Sequence, residues 1–234
     1  MNGIHDMGGL HGFGTVKVDP NEPVFVTRWG SRVFCMTQVI DRLGVWNLDE
    51  HRHEIELMRP QDYLEWGYYG RWMFAMERIL DRRNILTTAE INRRVDELSA
   101  GLKHLTPPAN PDRNWPLQEE DKVRWGAWRK EVQVTPQFSV GQRVRVRNIH
   151  PPGHTRVTSY TRGKVGVIHR VDAQAWVFPD TRAHYRGENL QPVYNVQFSA
   201  QTLWGEEQAE ANLFIYIDLS ENHLEAVGEH QHES

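Results

Sequence analysis

The hydrophobic pattern changes period once along the chain, close to Thr135-Pro136, and that change limits the fold more than any other feature. Before it, apolar residues recur at i, i+3, i+4 and i+7, the spacing of one helix face. After it, Gly141-Gln142-Arg143-Val144-Arg145-Val146-Arg147 alternates with period two, valines one way and arginines the other. Further strands are predicted over Lys164 to Val171, Val193 to Phe198 and Leu213 to Leu219, with Gly153, Gly163, Pro179, Gly187 and Gly205 between them. Helices first and short strands second predict an α+β fold class. Its expected parts are an extended N-terminal arm, a helical N-terminal half and a C-terminal SH3-like small β-barrel or β-roll.

In the first 30 residues, Gly3, Gly8, Gly9, Gly12 and Gly14 forbid a stable helix, and Pro20 and Pro23 break up the rest of the stretch. Ile4, Met7, Leu10, Phe13, Val16, Val24 and Phe25 are nevertheless scattered through it. An arm of this composition is expected to lie along another surface, one belonging to another chain. Ser31 to Leu43 reads as a helix ended by Gly44, with Val33, Phe34, Met36, Val39, Ile40 and Leu43 as its apolar set. Thr87-Thr88-Ala89-Glu90 is a capping box that launches a helix with Ile91, Val95 and Leu98 inward. Pro107, Pro108, Pro111 and Pro116 make an extended connector, and a short charged helix with Trp125 and Trp128 is predicted from Leu117 to Glu131. The expected division is an arm over 1–30, a helical domain over 31–134 with its connector at 106–116, and the barrel domain over 135–234.

Residues 47 to 76 pose the chemical question. Asn47 with Glu50 is a capping-box variant, and Pro60 closes the helix it starts. Leu48, His51, Arg52, Ile55 and Met58/Arg59 share one face, while Asp49, Glu50, His53, Glu54 and Glu56 fall mostly on the other. The next helix repeats the arrangement with Tyr68, Arg71, Trp72, Ala75, Met76 and Ile79. Arg52 and Arg71 thus point where aromatics and aliphatics point. A guanidinium does not shed its charge to suit a dry site, so each is expected to meet an anion.

Several function classes are excluded on residue type. One cysteine, Cys35, rules out an internal disulfide framework and suits a reducing cytoplasm. It sits among apolar helix residues and reads as a small buried side chain. Twelve histidines are present, but His51 and His53 lie on different helix faces, and Cys-x-x-Cys and His-Glu-x-x-His are absent, so no metal ligand is expected from this chain. Nucleophile elbows, dinucleotide fingerprints and phosphate loops are absent too. The N-terminus has no basic segment followed by an apolar run, and nothing approaches the ~18 apolar residues of a membrane span, so a cytoplasmic protein without membrane contact is expected. Gly141 to Val146 with Arg162-Gly163-Lys164-Val165-Gly166-Val167-Ile168 is similar to the short barrel motif of ribosomal and transcription-elongation modules. Acids outnumber bases over 135–234 and the net charge is −4, which argues against a nucleic-acid partner. Pro151-Pro152-Gly153-His154-Thr155-Arg156 survives as a second feature of interest, a loop presenting Arg156 beside a sharp turn.

These residues resemble a family. Met1-Asn2-Gly3-Ile4-His5-Asp6-Met7-Gly8-Gly9 looks like the N-terminal signature of nitrile hydratase β subunits. Leu48-Asp49-Glu50-His51-Arg52, Met58-Arg59-Pro60, Tyr63-Leu64 with Tyr68-Tyr69, Gly153-His154-Thr155-Arg156, Tyr160-Thr161-Arg162-Gly163-Lys164, Phe178-Pro179-Asp180 and Leu203-Trp204-Gly205 extend the likeness over nearly the whole chain, least in 103–133. The resemblance implies a β subunit that wraps an α partner in an αβ or α2β2 assembly. The partner's Cys-x-x-Cys-Ser-Cys segment would hold low-spin Co(III) or Fe(III), with two cysteines oxidised, and Trp72 favours cobalt. The resemblance also makes Arg52, Arg156 and Tyr68 the catalytic residues, the two arginines hydrogen-bonding the oxidised cysteines. Leu48, His51, Arg71, Trp72, Thr37 and Asp41 would line the pocket of a small nitrile, hydrated to its amide. Thr37, Asp41 and His51 stand where the family commonly has aromatics. Tyr69-Gly70-Arg71-Trp72 and Arg42-Leu43-Gly44-Val45-Trp46 also resemble thiocyanate hydrolase, for whose anion Arg71 would be suited. A metallochaperone related to the β subunit, or an RNA-binding barrel, are the non-enzymatic alternatives.

Overall fold

The computed structural model describes residues 1–101, 114, 117–119 and 129–228. The first helices are α1 (Arg28–Arg42), α2 (Leu48–Glu56), α3 (Pro60–Glu65), α4 (Gly67–Arg82) and α5 (Thr88–Ser99). Then come β1 (Arg129–Gln133), β2 (Arg143–Val146), β3 (Val165–Trp176), α6 (Pro179–Ala183), β4 (Gln191–Ser199), α7 (Ala200–Trp204), β5 (Phe214–Ser220) and β6 (Leu224–Ala226). The class is α+β, helical in its N-terminal half and sheet-forming in its C-terminal half. Contacts divide the chain into two compact units. One comprises Gly3–His5 and Thr15–Trp125; the other comprises Met1–Asn2, Asp6–Gly14 and the chain from Gly126 onward.

In the helical unit the helix starts lie where the caps predict. Asn47 Oδ1 accepts from Glu50 N at 2.9 Å, and Thr87 Oγ1 accepts from Glu90 N at 3.2 Å, each satisfying an otherwise orphaned donor. Gly44 takes φ +78, the left-handed conformation that ends α1 without a side-chain clash. Pro60 opens α3 at its first turn, where a missing N–H costs nothing. Val45, Trp46, Met76, Ile79, Leu80, Ile85 and Leu117 form the core, with Ile40, Met73 and Leu86 packed against it.

Two expectations for helix faces are overturned. The inward residues of α1 are Gly30, Val33, Thr37 and Asp41, while Phe34, Cys35, Met36, Val39 and Leu43 are exposed. Cys35 is therefore a surface thiol, because the apolar side of α1 is not the side this unit buries. The acids of α2 are buried as well. Asp49, Glu50, Glu54 and Glu56 all lie inside, and arginines at the end of α4 meet two of them: Arg78 Nε donates to Glu54 at 2.8 Å, and Glu50 accepts from Arg82 at 2.7 Å and from Arg83, the residue after α4, at 3.2 Å. Arg82 also pairs with Glu54. Both sides of α2 are thus used, one facing Trp46 and Trp72 through His51 and one taken up by an ion-pair network.

In the second unit one antiparallel sheet runs β5-β4-β3-β2-β6, with β1 beside β3. Val144 and Val146 turn into a core with Phe138, Val157, Ile168, Tyr194, Val196, Phe198, Leu203, Leu219 and Leu224, as the alternation predicts. The sheet is an open path with β5 and β6 at its ends, and among the described residues no ladder joins them, so the closed barrel is not formed. The helix predicted over 117–131 also fails in its last part, where β1 pairs with β3 in the register Arg129↔Trp176. Arg129 is held there by Asp172 at 2.9 Å and by the Trp176 ring at 4.8 Å, so cross-strand partners override the local helical pattern. Residues 120–128 and the prolines of the predicted connector lie outside the described residues. Residues 1–27 contain neither helix nor strand, and Val16, Val18, Val24 and Val26 are exposed along the arm.

Candidate functional site

A cavity of about 360 Å³ opens in the helical unit, lined by α1 (Thr37, Gln38, Asp41), Trp46, α2 (Leu48, His51, Arg52, Ile55), Tyr63 of α3, and α4 (Tyr68, Arg71, Trp72). Every pocket residue predicted from the sequence lies on this wall, together with Arg52 and Tyr68. Gln38, Trp46, Ile55 and Tyr63 complete it. Tyr63 belongs to a quoted motif and Ile55 to the predicted face of α2. Trp46 ends the Arg42-to-Trp46 motif that resembles thiocyanate hydrolase, and Gln38 carried no sequence signal that set it apart.

His51 is the most enclosed of the polar lining groups, 4% exposed. Its ring packs 5.4 Å from Trp46 and edge-on at 5.8 Å to Trp72, centroid to centroid. Desolvation in this aromatic clamp lowers its pKa to about 4, the Trp72 backbone pulling the other way, so the imidazole is neutral at pH 7. Tyr68 is 62% exposed and leans on Trp72, ring centroids 5.4 Å apart. Arg52 is half-buried, its Nη1 4.0 Å from Asp49 Oδ1 one turn before it. That is a loose i, i+3 pair rather than a fork-to-fork bond.

Arg71 departs from expectation. Its Nε donates to the Tyr63 carbonyl at 2.7 Å, and its guanidinium carbon stands 3.8 Å above the centre of the Tyr63 ring. A carbonyl oxygen and an aromatic face supply the negative potential that an anion was expected to supply. Arg71 is thereby a strut between α3 and α4.

Arg156 belongs to the other unit and is exposed, while its neighbours His154, Thr155 and Val157 are buried. Thr155 Oγ1 accepts from Val157 N at 3.2 Å, pinning the backbone on either side of the outward arginine. Gly153 in the turn before it lies close under Asp180, since a Cβ there would meet Asp180 Oδ1 at 2.1 Å and force that carboxylate to move. The same logic links the two ends of this unit. A Cβ on Gly8 would stand 2.6 Å from the Tyr160 ring, Asp6 Oδ2 accepts from Ser159 N at 2.8 Å, and Arg162 donates to Asn2 Oδ1. The motif residues at the N-terminus and at 159–162 are therefore one another's partners.

Comparison with known proteins decides the family. Residues 1–123 match the model described as nitrile hydratase beta subunit, N-terminal, and residues 127–226 match the C-terminal model of the same subunit. The chain belongs to the nitrile hydratase β-subunit family. It is 38% identical to the nitrile hydratase subunit beta of Pseudomonas putida, over 96% of this chain and 99% of that one. It is 36% identical to the low-molecular weight cobalt-containing nitrile hydratase subunit beta of Rhodococcus rhodochrous, over 96% and 99%. The thiocyanate hydrolase subunit alpha of Thiobacillus thioparus is 33% identical over 38% of this chain and 70% of its own. Among the described residues, no helix is long and apolar enough to cross a membrane.

Proposed function

We propose that the chain is the β subunit of a heteromeric nitrile hydratase, which hydrates a nitrile to the corresponding amide only together with an α subunit. The observation that carries this is the cavity wall, which gathers Leu48, His51, Arg52, Tyr68 and Trp72, the residues the family likeness singles out. The exposed apolar side of α1, with Phe34, Met36, Val39 and Leu43, and the valines of the arm supply the surface that an α partner would cover.

The metal is assigned to the partner, in an αβ or α2β2 complex. The chain's single cysteine, Cys35, is an exposed thiol on α1, a donor set unsuited to a multi-thiolate centre. Arg52 and Arg156 fit the role of donors to an oxidised thiolate ligand, because a guanidinium offers hydrogen bonds and no lone pair. Co(III), or Fe(III), when bound by the partner, would supply Lewis acidity toward the nitrile and its attacking water. Arg52 and Arg156 would each bond an oxidised cysteine of the partner and so hold the ligands in place. Tyr68 would donate its hydroxyl hydrogen bond to the reacting group, and Trp72 would bound the substrate's apolar part. Cobalt is favoured by the cobalt-containing relatives, and a cytoplasmic location by the lone reduced cysteine.

Thiocyanate hydrolysis draws its support from Arg71 as an anion receptor, and that guanidinium already stacks on the Tyr63 ring and gives its Nε–H to the Tyr63 carbonyl. The test is co-expression. The chain alone should be inactive, whereas the chain with an α subunit and cobalt or iron should convert nitrile to amide faster than thiocyanate is consumed. Equal amide formation by the isolated chain refutes the proposal.

A further inference from the structure

The cavity wall contains polar atoms with no hydrogen-bond partner among the described residues. Thr37 Oγ1 and His51 Nε2 are both buried, the residues 5% and 4% exposed, and neither atom is bonded. Buried donors and acceptors are almost always satisfied, so two unmet ones on one wall mark where a ligand's polar group belongs. Asp41, one turn after Thr37 on the same inward face of α1, adds a buried carboxylate to that wall. The lining also includes Trp46, Leu48, Ile55 and Trp72, whose apolar surfaces suit an alkyl chain. Arg71, another polar residue of the wall, is engaged by Tyr63.

We infer that this pocket is selective for small nitriles bearing a hydrogen-bonding substituent, a hydroxyl above all, recognised by Thr37 and His51 beside Asp41. A hydroxyl group both donates and accepts, so it satisfies a threonine hydroxyl and a neutral imidazole in either tautomer. His51 remains neutral at pH 7 because burial holds its pKa near 4. An alkyl substituent of the same size would leave both atoms unmet and lose the corresponding discrimination. The inference rests on the reading that the chain works as a nitrile hydratase β subunit.

The test uses the complex co-expressed with its α subunit and two substrates of equal heavy-atom count, 3-hydroxypropionitrile and butyronitrile. The expected ratio of kcat/KM favours the hydroxynitrile by roughly tenfold, the discrimination of one well-made hydrogen bond. Thr37→Val, which exchanges a hydroxyl for a methyl, should bring that ratio down severalfold, and His51→Phe should do the same. A purely structural defect would lower both substrates together and leave the ratio in place. Turnover of both nitriles with butyronitrile equal or preferred in the wild-type complex overturns the selectivity while leaving the activity standing. Failure to hydrate either nitrile overturns both.

Discussion

Arg78 donates its Nε–H to Glu54 at 2.8 Å across the α2–α4 contact, and the Glu54 side chain is 4% exposed while Arg78 keeps half its surface in water. The pair is asymmetric: the acid is committed to the interior and the base is not. Arg82 bonds the same carboxylate and also Glu50. The network fixes the slant of α2 against α4, and both helices supply cavity wall. Its chemistry thus supports the site from behind.

Glu54→Gln should therefore destabilise the protein by about 1–3 kcal/mol, the cost of weakening charge-assisted bonds at a buried acceptor. The arginines lose less, since water reaches both. Burial alone would raise the Glu54 pKa, but the bonds and charges of Arg78 and Arg82 outweigh it and hold the carboxyl below its ordinary 4.5. That depressed value means the contribution is present above pH 4.5 and is lost as pH falls through the folded-state pKa. Urea denaturation at about pH 7 and at about pH 4 measures both effects. A Gln variant with wild-type midpoints at both would remove the network from the account.

His51 predicts a second acid limb. Its folded pKa of about 4 lies below the 6.5 of the unfolded chain, so the unfolded state takes up the proton first. Stability is retained above pH 6.5 and declines between 6.5 and about 4, by on the order of 3 kcal/mol. His223, buried against Phe178 in the other unit, is also lowered to about 4 by desolvation and adds a limb in the same window. His51→Phe should reduce the slope of the unfolding midpoint over that range without abolishing it. An unchanged slope would mean that His51 is hydrated in solution.

The strands were legible because alternation is enforced by the pleat: Val144 and Val146 have to turn inward wherever Arg143 and Arg145 turn out. Caps were legible for a similarly local reason, since Asn47 and Thr87 each bond a donor three residues on. Pattern could not reveal which side of an amphipathic helix faces its own chain. In α1, Thr37 and Asp41 face inward and Val39 and Leu43 outward, an inversion that makes sense only if something else covers the apolar side. The acids of α2 misled for another reason. Glu50 and Glu54 are buried by arginines 24 to 33 positions away, a separation that no helical window spans. Periodicity placed Leu48, His51, Arg52 and Ile55 on one face of α2 and Tyr68, Arg71 and Trp72 on one face of α4, and family likeness added Thr37 and Asp41 and made the set a pocket; the anion expected at Arg71 is a contact with Tyr63 instead.

Gly153→Ala tests the support of the Arg156 loop. A methyl group would overlap Asp180 Oδ1, which stands 3.3 Å from His184 Nδ1, so either the carboxylate moves or the turn shifts. The expected cost is about 1–2 kcal/mol in stability, together with a fall in activity of the complex larger than the stability loss explains at assay temperature. Asp180→Ala in the Gly153→Ala background should restore part of both by making room. Melting temperature and kcat, measured for the pair of variants, check the prediction, and full activity in Gly153→Ala would show that the loop tolerates displacement.

Arg52→Lys asks whether the guanidinium acts as a fork or only as a charge. Lysine keeps the cation but offers one compact ammonium in place of parallel N–H groups, so bidentate bonding to a partner oxyanion is lost while attraction remains. The ion pair that Arg52 makes with Asp49 is a long one, 4.0 Å, and a lysine at the same position keeps the attraction to that carboxylate. The complex should form and melt near the wild-type temperature, yet kcat should fall roughly 10- to 100-fold, the usual cost of removing a residue that orients metal ligands. KM should move less than kcat, because in the proposed site Leu48, His51 and Trp72 would bound the nitrile. Metal content separates the two ways in which activity can be lost: retained metal with low kcat means misoriented ligands, and depleted metal means that Arg52 secures the oxidised cysteines on which retention depends. Wild-type kcat with wild-type metal content in the Lys variant would make Arg52 a scaffold residue and remove the clamp from the proposed mechanism.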